Sequence, residues 1–262
     1  MSLARALASP QPLSVPYRHL VLIPSYNSGT LLIETIRQAR RHWSPVWVVI
    51  DGSTDGSAEA AERLAARDDG VRVLRLGRNR GKGAAILHGL RAAEAAGFTH
   101  VLTMDGDGQH PAPLIPDFVA ASAAAPDSVI LGRPVFDASA PLVRVLGRRL
   151  SNWCARIETL NGEGFDSLFG FRVYPIGPLR RLMEGTRWMR RFDFDAEAAV
   201  RLSWGGHRLV SLPAPVRYLR AAEGGVSHFR YGRDNALLIW THLRLGLGMA
   251  LRLPYLVRSS RH

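Results

Sequence analysis

Two aspartates one residue apart, Asp105 and Asp107, close the apolar run Val101-Leu102-Thr103-Met104, with Gly106 between them and Gln109 two positions beyond. Oxygen ligands at this spacing suit Mg2+ or Mn2+ shared with a substrate diphosphate, because such ions take few protein ligands and complete their shell with phosphate oxygens. The same tripeptide also reads as a solvated Asp-Gly turn. A second acidic pair, Asp195 and Glu197, opens a helical stretch running towards Arg201. These carboxylates are candidates for taking a proton from an attacking hydroxyl, the alternative being first-turn acids favoured by the helix dipole. Arg133 follows a short apolar strand and offers a planar fork of donors to phosphate, or else to a structural ion-pair partner. The single cysteine, Cys154, leaves no thiolate cluster and no internal disulfide, so oxygen or imidazole must hold any metal. None of the histidines forms a helical zinc pair with a glutamate, and neither a dinucleotide fingerprint nor a Walker loop is present.

The elements that must position these residues alternate. Apolar, β-branched runs at 19–23, 46–50, 71–76 and 99–103 read as buried strands, and the alanine- and leucine-rich stretches 30–41, 57–67 and 82–96 read as helices. Alternation of this kind predicts an α/β fold with a mainly parallel sheet flanked by helices, whose ligands bind beyond the carboxyl ends of the strands. Three of those ends are polar: Pro24-Ser25-Tyr26-Asn27, Asp51-Gly-Ser-Thr-Asp-Gly56 and Asp105-Gly-Asp-Gly-Gln-His110.

The pieces Val21-Leu-Ile-Pro-Ser-Tyr-Asn27, Val49-Ile-Asp-Gly-Ser-Thr-Asp-Gly56, Asn79-Arg-Gly-Lys-Gly-Ala-Ala85 and Met104-Asp-Gly-Asp-Gly-Gln-His-Pro111 follow one another in the order of inverting family 2 glycosyltransferases. Asp166-Ser-Leu-Phe-Gly-Phe-Arg172 and Phe192-Asp-Phe-Asp-Ala-Glu197 continue the series, so the resemblance, to the dolichyl-phosphate mannose synthase type, spans roughly residues 18–230. It implies a GT-A fold, a Rossmann-like arrangement, in which Asp51 contacts the nucleotide base and Pro24, Ser25 and Tyr26 line its pocket. It also implies that Asp105, Asp107 and Gln109 hold the metal and diphosphate. Lys82 lies in the matched Gly-Lys-Gly piece, where a glycine-rich helix start could approach the nucleotide, or is an ordinary helix-start lysine. Arg172 becomes a phosphate-pairing candidate through its matched piece, the alternative again being a structural ion-pair partner. Gly224-Gly-Val-Ser-His-Phe-Arg230 looks like a late motif of lipid-directed members, which makes His228 a candidate for a loop over the diphosphate. Phe169 stands where the family usually has a small residue, and Ile50 where it commonly has an acid.

Single displacement at the anomeric carbon inverts its configuration. A lipid phosphate acceptor is already anionic and needs no strong base, whereas a hydroxyl acceptor does. The formal charge of +12, mainly from arginine interleaved with apolar residues, favours an anionic membrane surface over a duplex groove, and no nucleic-acid module is recognisable. Residues 236–257 are interrupted by Arg244 and Arg252 and read as an interfacial helix, with Trp240 and Tyr255 at the headgroups and the arginines on anionic lipid. The alternative is a helix packed on the domain. Residues 142–160, with Trp153 and Ile157 among Arg148, Arg149 and Arg156, could form a second amphipathic segment beside the acceptor site. The expected division is a loose leader (1–16), a GT-A domain (17–231) and a basic amphipathic C-terminal segment (232–262). The function expected is transfer of a sugar from a UDP- or GDP-linked donor to a polyprenyl phosphate or other amphipathic lipid by a peripheral protein at the cytoplasmic membrane face. Its rivals are a transferase with a soluble or polysaccharide acceptor and a turnover-deficient nucleotide-sugar-binding membrane scaffold.

Overall fold

The structure, a computed structural model, describes residues 17–135, 142–160, 165–216 and 231–259. The leader at 1–16 and the late motif carrying His228 lie outside the described residues. Strands β1 (His19–Ser25), β2 (Val46–Asp51), β3 (Val71–Leu76) and β4 (His100–Thr103) alternate with helices α1 (Leu31–His42), α2 (Ser57–Ala65) and α3 (Lys82–Ala95). After β4 come α4 (Ile115–Ala124), β5 (Val129–Val135), α5 (Leu142–Thr159), β6 (Arg172–Pro175), α6 (Ile176–Glu184), α7 (Phe194–Trp204), β7 (Leu209–Pro215) and α8 (Tyr231–Ser259).

The seven strands form one sheet in the order β3-β2-β1-β4-β6-β5-β7. All neighbouring pairs are parallel except those of β6, which runs antiparallel to both β4 and β5. Alternate residues of one strand feed opposite cores. Leu20, Leu22, Trp47 and Val49 pack against α3, α6 and α7, while Val21, Ile23, Val46 and Val48 pack against α1, α2 and α4. With both faces covered, the inner strands β1, β2 and β4 read as near-continuous apolar runs.

The parallel strands deliver the loops after β1, β2 and β4 to one edge of the sheet. Because β6 is antiparallel, with Arg172 opposite Thr103, its leading segment 166–171 arrives at that same edge. Helix α8 is one continuous helix of 29 residues that packs on α5 and α7. Its segment Gly232–Pro254 is long and apolar enough to cross a membrane by length and composition, with 11% of its most apolar window buried.

At the opposite edge, the His19 ring stacks on His100 at 4.7 Å, and its Nε2 meets Ser122 Oγ at 3.0 Å. Burial, then the neighbouring His100, pushes the His19 imidazole down to about 4. An unfolded chain therefore binds this proton more readily than the folded one. The contribution of neutral His19 is complete above the unfolded value near 6.5 and is lost as pH falls towards 4. Urea unfolding is expected to lose at most about 3 kcal/mol from this group between pH 7 and 4. His19→Gln should show a correspondingly shallower pH slope, and equal slopes would show that His19 titrates normally.

Candidate active site

The first two loops are tied to each other by their own polar side chains. Asn27 Oδ1 accepts from the Thr54 amide at 2.8 Å, the Asn27 amide donates to Ser53 Oγ at 3.0 Å, and Asp55 Oδ2 accepts from the Gly29 amide at 2.8 Å. Asp51, at the end of β2, accepts from the amides of Arg80 (2.8 Å) and Gly81 (2.7 Å), which fixes the chain entering α3. Burial raises the Asp51 carboxyl, and these two amides oppose the rise. Pro24, Ser25, Tyr26 and Asp51 all line one cavity.

The Gly-Lys-Gly helix start has a different reason from the one expected. A Cβ on Gly81 would lie 2.5 Å from Arg190 O, and one on Gly83 would lie 2.2 Å from Met189 O. The room is filled by the backbone of residues 189–190, and the Ala84 amide donates to Arg190 O at 3.0 Å. The glycines thus bring α3 against the segment leading to Asp195.

That contact places Lys82 at the centre of the site. Its Nζ lies 2.8 Å from Asp105 Oδ1 and 2.7 Å from Asp195 Oδ2. Burial by itself would lower the Lys82 ammonium; the two carboxylates overcome it and push the value up. Asp105 is likewise raised by burial alone, but Lys82 brings it below the usual carboxylate range. Asp107 is pushed up by burial and then by the charge of Asp105. His110 closes the acidic turn: its Nδ1 accepts from the Asp105 amide at 3.0 Å, and its ring meets Phe169 edge-on at 4.7 Å. Phe169 and Gly106 are buried, and with Gln109 they line the same cavity.

The donor set fits a hard divalent cation. Asp105, Asp107 and Gln109 offer oxygen only, and the mutual repulsion that raises Asp107 is what a bound cation relieves. Asp195, 5% exposed at its side chain, also has one buried oxygen, Oδ1, without a hydrogen-bond partner. Among the described residues, no group of three or more His, Cys, Asp or Glu side chains is arranged to hold a metal by itself, so an ion held here would complete its shell with substrate oxygens or water.

Three expected site residues sit elsewhere. Arg172 is fully buried behind the site and does not line the cavity. It donates to the carbonyls of Phe169 (2.7 Å), Asp166 (2.9 Å) and Asp195 and to the Tyr174 hydroxyl, so its fork positions the loop before β6 and the start of α7 and has no donors directed at a phosphate. Glu197 is fully buried on the far side of α7, where Arg201 (2.7 Å) and Arg244 (2.9 Å) neutralise it. Arg133 is exposed on β5 and stays outside the cavity lining. Arg244, expected on lipid, turns inward onto Glu197, with its guanidinium 3.9 Å over the Trp188 ring.

Sequence reasoning set residues 142–160 beside the acceptor site but missed how α8 closes the far end of the cavity against them. Its volume is about 1360 Å³, above the range of roughly 300–1,000 Å³ usual for one small ligand. From the polar loops it continues between α5 and α8, past Leu150, Trp153 and Ile157 of α5 and Leu238, Ile239 and Leu243 of α8. Ser151, Glu158 and His242 lie in that seam, and Arg191 lines the cavity near Asp51. Ser151 and Glu158 share a helix face by their spacing of seven, but nothing in the sequence pairs them with a histidine more than eighty residues away.

An undecaprenyl-phosphate mannosyltransferase of Micrococcus luteus is 29% identical over 211 residues, covering 75% of this chain and 82% of that protein. A polyprenol monophosphomannose synthase of Mycolicibacterium smegmatis is 29% identical over 204 residues, covering 75% and 76%. Among solved structures, glucosyl-3-phosphoglycerate synthase from Mycobacterium tuberculosis, in complex with Mn2+, UDP and glucosyl-3-phosphoglycerate, shares the fold with a TM-score of 0.61 and 18% identity over 87% of this chain and 80% of that one. The model of the family described as "Glycosyl transferase family 2" matches residues 20–191, well over half of the sequence, and the chain belongs to that family.

Proposed function

We propose that the protein transfers a sugar, with inversion, from a nucleotide diphosphate sugar to a polyprenyl phosphate at the cytoplasmic face of a membrane. The observation that carries this reading is the single cavity that joins the polar loops at the strand ends to an apolar seam between α5 and α8. A donor and a long apolar acceptor need those two environments in one continuous space. The polyprenyl-phosphate acceptors in the names of the two relatives support the same class.

Pro24, Ser25, Tyr26 and Asp51 line the nucleotide end, and Asp105, Asp107 and Gln109 would hold Mg2+ or Mn2+ with the diphosphate. Such an ion, when bound, supplies electrostatic stabilisation of the departing diphosphate. Lys82 contributes a fixed positive charge beside the same oxygens, and Asp195 faces the reacting end of the cavity. The exposed row Ile239, Leu243, Leu247 and Leu251 on α8, beside Leu150 and Trp153 on α5, forms an apolar face for the bilayer surface. Because His242 and Arg244 bind α8 along the domain, we read the helix as interfacial.

Transfer from a panel of UDP- and GDP-sugars to polyprenyl phosphate in mixed micelles tests this. The expected product is a metal-dependent, acid-labile glycolipid. Sugar transfer only to a water-soluble acceptor, or none from any donor that binds, would remove the proposal.

A further inference from the structure

The seam between α5 and α8 contains a hydrogen-bonded chain that the transfer reaction described so far does not use. Ser167 Oγ lies 2.8 Å from Ser151 Oγ, Ser151 Oγ lies 2.7 Å from His242 Nε2, and His242 Nδ1 lies 2.9 Å from Glu158 Oε1. Ser151 and Glu158 are 5% and 3% exposed, yet both line the cavity, as does His242. Glu158 Oε2 is buried with no hydrogen-bond partner. The hydroxyl–imidazole–carboxylate order and these distances are those of a proton relay: the carboxylate fixes Nδ1–H, which leaves Nε2 free to accept from the hydroxyl.

Ser151 is bonded to Ser167, in the segment 166–171 that reaches the strand-end edge, so the chain starts where the seam meets the polar loops, and we propose that Ser151, His242 and Glu158 take up the proton of the acceptor. The inference rests on the phosphate-acceptor reading above. A phosphomonoester keeps its second proton up to a pH of about 6. The glycosyl phosphodiester formed from it cannot keep that proton, so every turnover on the protonated form must release one. Ser151 Oγ receives it while its own hydrogen passes to His242 Nε2. The electron pair of the broken O–H bond stays on the acceptor phosphate, one of whose oxygens bonds to the anomeric carbon as the bond to the diphosphate oxygen breaks with its own pair. The imidazolium, balanced by Glu158, returns the proton to water when product leaves.

The charged and titratable groups on the helices packed around His242 agree with this direction. Among the residues whose side chains are described, these are Arg148, Arg149, Cys154, Arg156 and Glu158 on α5; Asp195, Glu197 and Arg201 on α7; and Arg233, Asp234, Arg244 and Arg252 on α8 itself. Arg148 is paired with Asp166, Arg201 and Arg244 with Glu197, and Arg233 with Asp234, while Arg252 lies over the Trp204 ring. Lys82 holds Asp195. Glu158 has no arginine or lysine in ion-pair contact among the described residues, so a proton on His242 completes its pair.

The test is the pH profile of kcat/KM for transfer to a short-chain polyprenyl phosphate by wild type and His242→Gln. The variant is expected to fall behind by about fourfold near pH 5.5, where only about a quarter of the acceptor has lost its second proton, and to approach wild type above pH 8, where the acceptor carries no proton. Glu158→Gln should shift the profile the same way. A difluoromethylene-phosphonate acceptor, which loses its second proton at a lower pH than the phosphate ester, should narrow the gap there. A uniform loss at every pH, or a gap equally wide with the phosphonate, would overturn the relay and leave these residues as a helix clasp. Wild type that glycosylates lipid hydroxyls but no lipid phosphate would instead remove the phosphate-acceptor reading.

Discussion

Asp107→Ala is expected to abolish Mn2+-dependent nucleotide binding and to lower kcat/KM for transfer by about a thousandfold. Asp105 already has a counter-charge in Lys82, whereas Asp107 lies beside a second carboxylate in a site that burial makes costly for both. A divalent ion shared with the diphosphate would reconcile them, and Asp107 is the carboxylate that has no ion pair with Lys82. Calorimetric titration of UDP and GDP, with and without Mn2+, separates the two explanations for Asp-Gly-Asp. Under the metal reading the wild type gains affinity with Mn2+ and the variant does not. Equal gains in both proteins would show that Asp107 holds no ion and is a turn residue whose side-chain Oδ1 does no more than accept from the Gln109 amide at 3.1 Å.

The parallel half of the sheet was legible because β1, β2 and β4 are buried along their whole length and appear as near-continuous apolar runs, while the edge strand β3 keeps Val71, Val73, Leu74 and Leu76 around two arginines. The antiparallel β6 was not. It has four residues, Arg172–Pro175, and its first side chain is a buried arginine whose charge hides the strand from any apolar pattern. β7 carries Pro213 and Pro215, which a strand tolerates at the edge of a sheet, where β7 lies.

The same physics sorts the site residues. Residues that act from the ends of parallel strands, such as Ser25, Asp51 and Asp105, could be placed because strand order alone sends them to one edge. Arg172 and Glu197 have the residue types of catalytic groups, but their work is to satisfy partners on other elements: Arg172 gathers carbonyls from two loops, and Glu197 anchors α8 through Arg244. Such partnerships depend on how α5, α7 and α8 pack, which amphipathic periodicity does not determine. For the same reason the arginines of α8 looked alike in sequence, although Arg244 is tied to the domain core and Arg252 lies at the surface over Trp204.

Lys82→Met is expected to cost about 3–5 kcal/mol of folding stability and most of the transferase activity. Asp195 depends on Lys82 for its side-chain hydrogen bond, since Oδ1 has no partner, so the variant leaves a buried carboxylate uncompensated. Arginine should not rescue it: the ammonium sits 2.5 Å from the point where Gly170 would carry a Cβ, and a guanidinium needs more room than that. The effect of Mn2+ then becomes diagnostic. In wild type the ion meets an Asp105 already paired with Lys82, whereas in the variant it supplies the only positive charge on that side of the cluster. Urea unfolding should therefore show a larger Mn2+-induced stabilisation in Lys82→Met than in wild type, with transfer still lost. If Mn2+ stabilises the two proteins equally, Asp105 and the ion do not compete for Lys82. The ammonium would then belong to Asp195 alone, fixing the carboxylate that faces the reacting end of the cavity.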